Sequence, residues 1–77
     1  MTERIIQILE RLTDHKGIGR DTDLLEEDLL DSLAFIELIN ELETEFHVEI
    51  QPTQVSSDTW KTAQGIAELV KTLRETT

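Results

Sequence analysis

Apolar residues recur at helical spacing in three stretches of this chain. Ile5, Ile8, Leu9 and Leu12 stand at i, i+3, i+4 and i+7. Phe35, Leu38, Ile39, Leu42 and Phe46 carry the same pattern to i+11, and Ile66, Leu69, Val70 and Leu73 repeat it near the C-terminal end. Residues three or four apart share one face of an α-helix, so each stretch predicts an amphipathic helix with one side to bury. Three one-sided helices satisfy one another by packing together. The pattern therefore predicts an all-α bundle.

The polar gaps are as informative. The first connection, about 14–30, begins with DHKGIGRDTD and then turns apolar at Leu24, Leu25, Leu29 and Leu30. Structureless connections of that length are uncommon in small domains, so the two leucine pairs are expected to pin its second half to the core. The second connection, about 47–61, opens with Val48 and Ile50 in a short extended stretch. Pro52 then suits a turn or the first turn of a short helix, and Trp60 is expected to plug or cover the core.

Composition narrows the picture. With 77 residues there is room for one domain, expected to span 1–77. A domain of this size buries only about 60% of the surface its unfolded chain exposes. The absence of cysteine removes disulfides, thiolate metal sites and a cysteine nucleophile, and Phe35, Phe46 and Trp60 are its only aromatic residues. No run approaches the roughly 18 apolar residues of a membrane span. The N-terminal stretch MTERIIQILERL carries charges throughout, unlike a signal peptide, so a cytoplasmic address and a monomer that is not membrane-embedded are expected. Acidic residues number 17 against 7 basic ones, a net charge of −10. Such a surface repels nucleic acid and speeds encounter with basic partners.

The candidate chemistry lies where Leu29-Leu30-Asp31-Ser32-Leu33 runs into the middle helix. Asp31 suits the N-cap, where its carboxylate accepts a backbone N–H. Ser32 then falls in the first turn, near solvent, where a phosphate ester is favoured by the helix dipole. Asp-Ser is also an ordinary helix cap, and an unmodified acidic adaptor would use it so. Glu37, Glu41 and Glu45 form an acidic stripe expected opposite the apolar face. Like charges at i, i+4 cost a few tenths of a kcal/mol, so the stripe reads either as a solvated face or as a docking face for basic proteins, together with Leu33. Asp21-x-Asp23 does not make a calcium loop, because Leu25 and Glu26 occupy positions that need a ligand and a glycine. His15 and His47 stand apart from one another, and no base is placed to activate Ser32 as a hydrolase nucleophile.

The stretch DLLDSLAFIELINELETEF resembles the serine-bearing helix of acyl carrier proteins, with similarity over nearly the whole chain. That resemblance implies a bundle of three main helices plus one short helix, with a long first loop. It implies a non-enzymatic carrier whose Ser32 takes phosphopantetheine from coenzyme A through a phosphopantetheinyl transferase, helped by Asp31. The stretch QPTQVSSDTWKTAQGI is similar to the D-alanyl branch of that family, through the Trp60-Lys61-Thr62 step before the last helix, with Thr62 as the cap the resemblance implies. It implies D-alanine as the thioester cargo, a D-alanine-activating ligase, and delivery to a membrane acyltransferase acceptor system for teichoic acids of a Gram-positive envelope. Fatty-acid and polyketide carriers are the alternatives within the family. Asp28 stands where the D-alanyl branch usually has glycine, and Pro52 falls one residue late.

Overall fold

The computed structural model describes residues 1–75. Helix α1 spans Thr2–Thr13, α2 Ser32–Phe46 and α3 Ala63–Glu75, with 3₁₀ turns at Pro52–Gln54 and Ser57–Lys61 between the last two. The described residues contain no strand. This is the expected all-α, carrier-like bundle, with the anticipated short helix split into two 3₁₀ pieces.

The predicted stripes become the core. Ile5, Ile8 and Leu9 of α1, Leu38 and Leu42 of α2, and Ile66 and Val70 of α3 are all fully buried. Removing a Leu or Ile side chain from water contributes roughly 1.5–3 kcal/mol, which explains why residues spaced for one face decide how the helices meet. Helix α1 packs on both α2 and α3, and α3 packs closely on the second 3₁₀ turn. Trp60 from that turn is 4% exposed and meets Phe35 edge-on, with ring centroids 4.9 Å apart. It is a core residue that also forms the floor of a surface groove.

Left-handed residues end α1 and α2. Asp14 caps α1 at φ 53° and His47 caps α2 at φ 56°, the conformation that lets a chain leave a helix abruptly. His47 thus serves the backbone at the end of α2. Thr62 has extended backbone and its Oγ1 accepts from the Gly65 N–H at 3.0 Å, so it begins α3 as expected.

The long first connection is tied down at several points. Glu10 Oε2 accepts from the N–H groups of Gly17 and Ile18 at 2.8 and 3.2 Å, and Ile18 sinks into the core. The Leu24 N–H donates to the Lys61 carbonyl at 2.6 Å, and the Gln64 N–H donates to the Arg20 carbonyl at 3.1 Å. Asp23 Oδ1 accepts from the Leu25 and Glu26 N–H groups, starting a turn that closes with the Leu29 N–H on the Leu24 carbonyl. Of the leucine pairs, Leu24 is fully buried and Leu29 and Leu30 pack on the core, while Leu25 stays 39% exposed. Three of the four pin the loop, and Leu25 lines a groove instead.

Candidate functional site

Asp31 and Ser32 sit where the anchored loop becomes α2. Asp31 has extended backbone, φ −83° and ψ −179°, and its Oδ1 accepts from the Ala34 N–H at 2.8 Å. That bond satisfies one of the donors a helix start leaves unpaired. Ser32 is then the first residue of α2. It is exposed, and no hydrogen bond engages its hydroxyl among the described residues. Esterifying this hydroxyl breaks no hydrogen bond within the protein.

Two hollows flank this helix start, and Asp31 borders both. One is a cleft of about 280 Å³ that reaches Ser32, with Leu25, Leu30, Phe35 and Trp60 on its walls and Ser57 at its edge. The other, about 220 Å³, is acidic: Asp28 and Glu37 join Asp31 there, beside Leu12, Leu29 and Leu33. No histidine lines either hollow. An open serine beside an apolar cleft, with its backbone held by an aspartate cap, fits a flexible phosphate-linked group. A phosphate ester on that hydroxyl would meet the unpaired N–H groups of the first turn, and the cleft would offer apolar surface to an arm beyond it.

The acidic stripe differs from its sequence reading. A row at i, i+4, i+8 winds only about 40° round the helix axis at each step, and all three glutamates border α1. Glu37 borders the hollow that Leu12 and Thr13 of α1 also line, while Glu41 and Glu45 pair with arginines of α1. Arg11 Nη2 donates to Glu41 Oε2 at 2.6 Å, and Arg4 Nη2 donates to Glu45 Oε1 at 3.0 Å. The bond from Arg4 holds the Glu45 carboxyl below the usual carboxylate range, and the same contact raises Arg4. The stripe therefore runs along the α1 edge of α2 rather than opposite the core.

Leu33 is 66% exposed and Ile36 57%. Ile36 was not singled out from the sequence, although its position outside the stripe of Phe35, Leu38 and Leu42 marks it. The partners Arg4 and Arg11 were likewise missed. Seven residues apart, they lie on one side of α1, which was the available signal. His15 is exposed in the loop after α1 and His47 is the cap of α2; the structure does not bring them together with Ser32.

Comparison with known proteins agrees with this geometry. A family model described as a phosphopantetheine attachment site matches residues 3–73. The chain is 40% identical over 73 residues to the D-alanyl carrier protein of Lactococcus lactis subsp. cremoris MG1363, covering 92% of each chain. It is 41% identical over 71 residues to that of Streptococcus thermophilus LMD-9, covering 91% of this chain and 90% of the other. It is 28% identical over 74 residues to that of Listeria welshimeri, covering 94% and 95%. With its helical bundle and the match over almost its full length, the chain belongs to the phosphopantetheine-attachment family, whose members are carriers of that covalently bound group.

Proposed function

We propose that Ser32 is the residue that carries phosphopantetheine and that the cargo is D-alanine. The observation that carries the reading is the state of Ser32: exposed, unbonded, first in α2, and at the mouth of an apolar cleft. In the attachment step the Ser32 Oγ attacks phosphorus in coenzyme A. The new Oγ–phosphorus bond forms as the bond to the adenosine bisphosphate half breaks, and the hydroxyl proton leaves to a base of the transferase. Asp31 keeps the serine at the head of the helix. The attached group supplies a thiol on a long tether, which holds an acyl group as a thioester and raises its effective concentration at the next enzyme.

The choice of D-alanine rests on the relatives, which are named D-alanyl carrier proteins. In this reading residues 1–77 form one cytoplasmic, monomeric carrier domain that acts with a D-alanine-activating ligase, a phosphopantetheinyl transferase and a membrane acyltransferase acceptor system that passes D-alanine to teichoic acids. No described helix is long and apolar enough to cross a membrane. The apolar cleft of about 280 Å³ favours a second reading, a carrier of longer acyl chains.

Incubation of the apo-protein with coenzyme A and a broad-specificity transferase tests the attachment. Mass spectrometry is expected to show one added phosphopantetheine on the natural chain and none on Ser32→Ala. An unmodified natural chain would sink the assignment. With the loaded protein in hand, a D-alanine-activating ligase and ATP are expected to charge the thiol with D-alanine, whereas acyl-loading enzymes should charge it poorly. The reverse preference would select the second reading.

A further inference from the structure

Glu37, Glu41 and Glu45 are spaced alike but do not meet the same surroundings. Arg11 and Arg4 stand 2.6 and 3.0 Å from Glu41 and Glu45, whereas no ion pair engages Glu37 among the described residues. A carboxylate with a guanidinium against it presents a dipole to an approaching molecule, and a dipole's field falls away faster than that of a bare charge. Screening removes most of either beyond about 8–10 Å at physiological salt. Steering is therefore left to the charges without a partner.

Among the described residues, three carboxylates without an ion pair stand together at the start of α2, the end that carries Ser32. Asp28, Asp31 and Glu37 line one hollow of about 220 Å³, and no basic residue shares its walls. Leu33 stands on the same hollow, and Ile36, three residues on, is the other strongly exposed apolar side chain of α2. Two neighbouring apolar residues left this far out of the core and rimmed by acids suit contact with another protein.

Resting on the reading of Ser32 given above, we propose that docking on this chain is confined to the first two turns of α2, at Leu33, Ile36 and Glu37 with Asp28 and Asp31, and that Arg4 and Arg11 mask Glu41 and Glu45 from partners. The occupant is a protein surface that presents an arginine or lysine beside an apolar pocket. Its cation enters the acidic hollow, with the aliphatic stem along Leu12 and Leu29, while the pocket takes Leu33 and Ile36. A partner seated there lies over the Ser32 end of the helix, rather than along its whole length.

The test is the association rate of the apo-protein with a broad-specificity phosphopantetheinyl transferase in the absence of coenzyme A, followed by stopped flow at low and at physiological salt. Glu37→Gln is expected to slow association about threefold at low salt, whereas Glu41→Gln and Glu45→Gln leave it nearly unchanged. Arg11→Gln bares Glu41 and is expected to speed association about twofold. The double variant Arg11→Gln/Glu41→Gln, which keeps the net charge, should return to the natural rate. Lys71→Gln on α3 makes the same change in net charge as Arg11→Gln without baring Glu41, and should leave the rate alone. Circular dichroism confirms that each variant is folded. Equal slowing by Glu37→Gln and Glu41→Gln, no gain from Arg11→Gln, or an equal gain from Lys71→Gln would each overturn the masking. Addition of coenzyme A then reads Ser32 separately: a chain that docks in the expected order yet gains no mass refutes the attachment and leaves the docking surface standing.

Discussion

Asp28 holds a left-handed backbone, φ 60°, at the close of the turn that delivers the chain to Ser32. For residues with a Cβ that conformation costs roughly 1–2 kcal/mol, a cost that short polar side chains such as Asp bear best. The relatives' branch was expected to use glycine here, and the geometry explains why glycine would suit. Asp28 keeps the same turn at some strain and in exchange adds a carboxylate to the acidic hollow. Asp28→Gly is therefore expected to stabilise the fold by about 0.5–1 kcal/mol, after allowing for the greater freedom of glycine in the unfolded chain. The same change should slow association with the transferase at low salt. Urea unfolding and stopped flow read the two effects, and a loss of stability would show that the Asp28 side chain supports the turn.

Between elements, α3 packs closely on the second 3₁₀ turn. A Cβ built on Gly65 would lie 2.7 Å from the Thr59 carbonyl oxygen, closer than packed atoms tolerate. Gly65 is needed here for space, not for an unusual backbone angle. Alanine ordinarily favours a helix over glycine by about 1 kcal/mol, but here overpacking should reverse the sign. Gly65→Ala is expected to lose about 1–2 kcal/mol and to shift the turn that carries Trp60, seen as a change in its fluorescence. A stabilised variant would show that the turn yields freely. The two arginine–glutamate contacts of α1 and α2 matter less to stability, because exposed pairs of this kind contribute little; their effect is on which charges a partner meets.

For the whole molecule, charge and size act together. A net charge of −10 on 77 residues sets the folded chain against its own repulsion, while a small core leaves little reserve. Screening should relieve that repulsion more than it weakens the few exposed ion pairs. The melting temperature is accordingly expected to rise as salt goes from about 10 to about 200 mM, over a range where the screening length falls from about 30 Å to under 10 Å. Docking should weaken across the same range. A melting temperature that falls with salt would mean that the pairs from α1 to α2 outweigh the repulsion. Salt thus separates folding from recognition in one series of measurements.

The sequence by itself determined the three helices, the side each one buries, and the cap at Asp31, because these depend on spacing along a single helix and on bonds between residues three apart. Ile5, Leu38 and Val70 could be placed in the core from their periodicity alone. Only the tertiary structure decided that Leu25 lines a cleft while Leu24 is buried, that Glu10 reaches across to hold Gly17 and Ile18, and that Arg4 and Arg11 occupy two of the three glutamates of α2. Each of those joins groups from separate segments, and their meeting depends on the angle and register at which the helices pack, which no local pattern encodes.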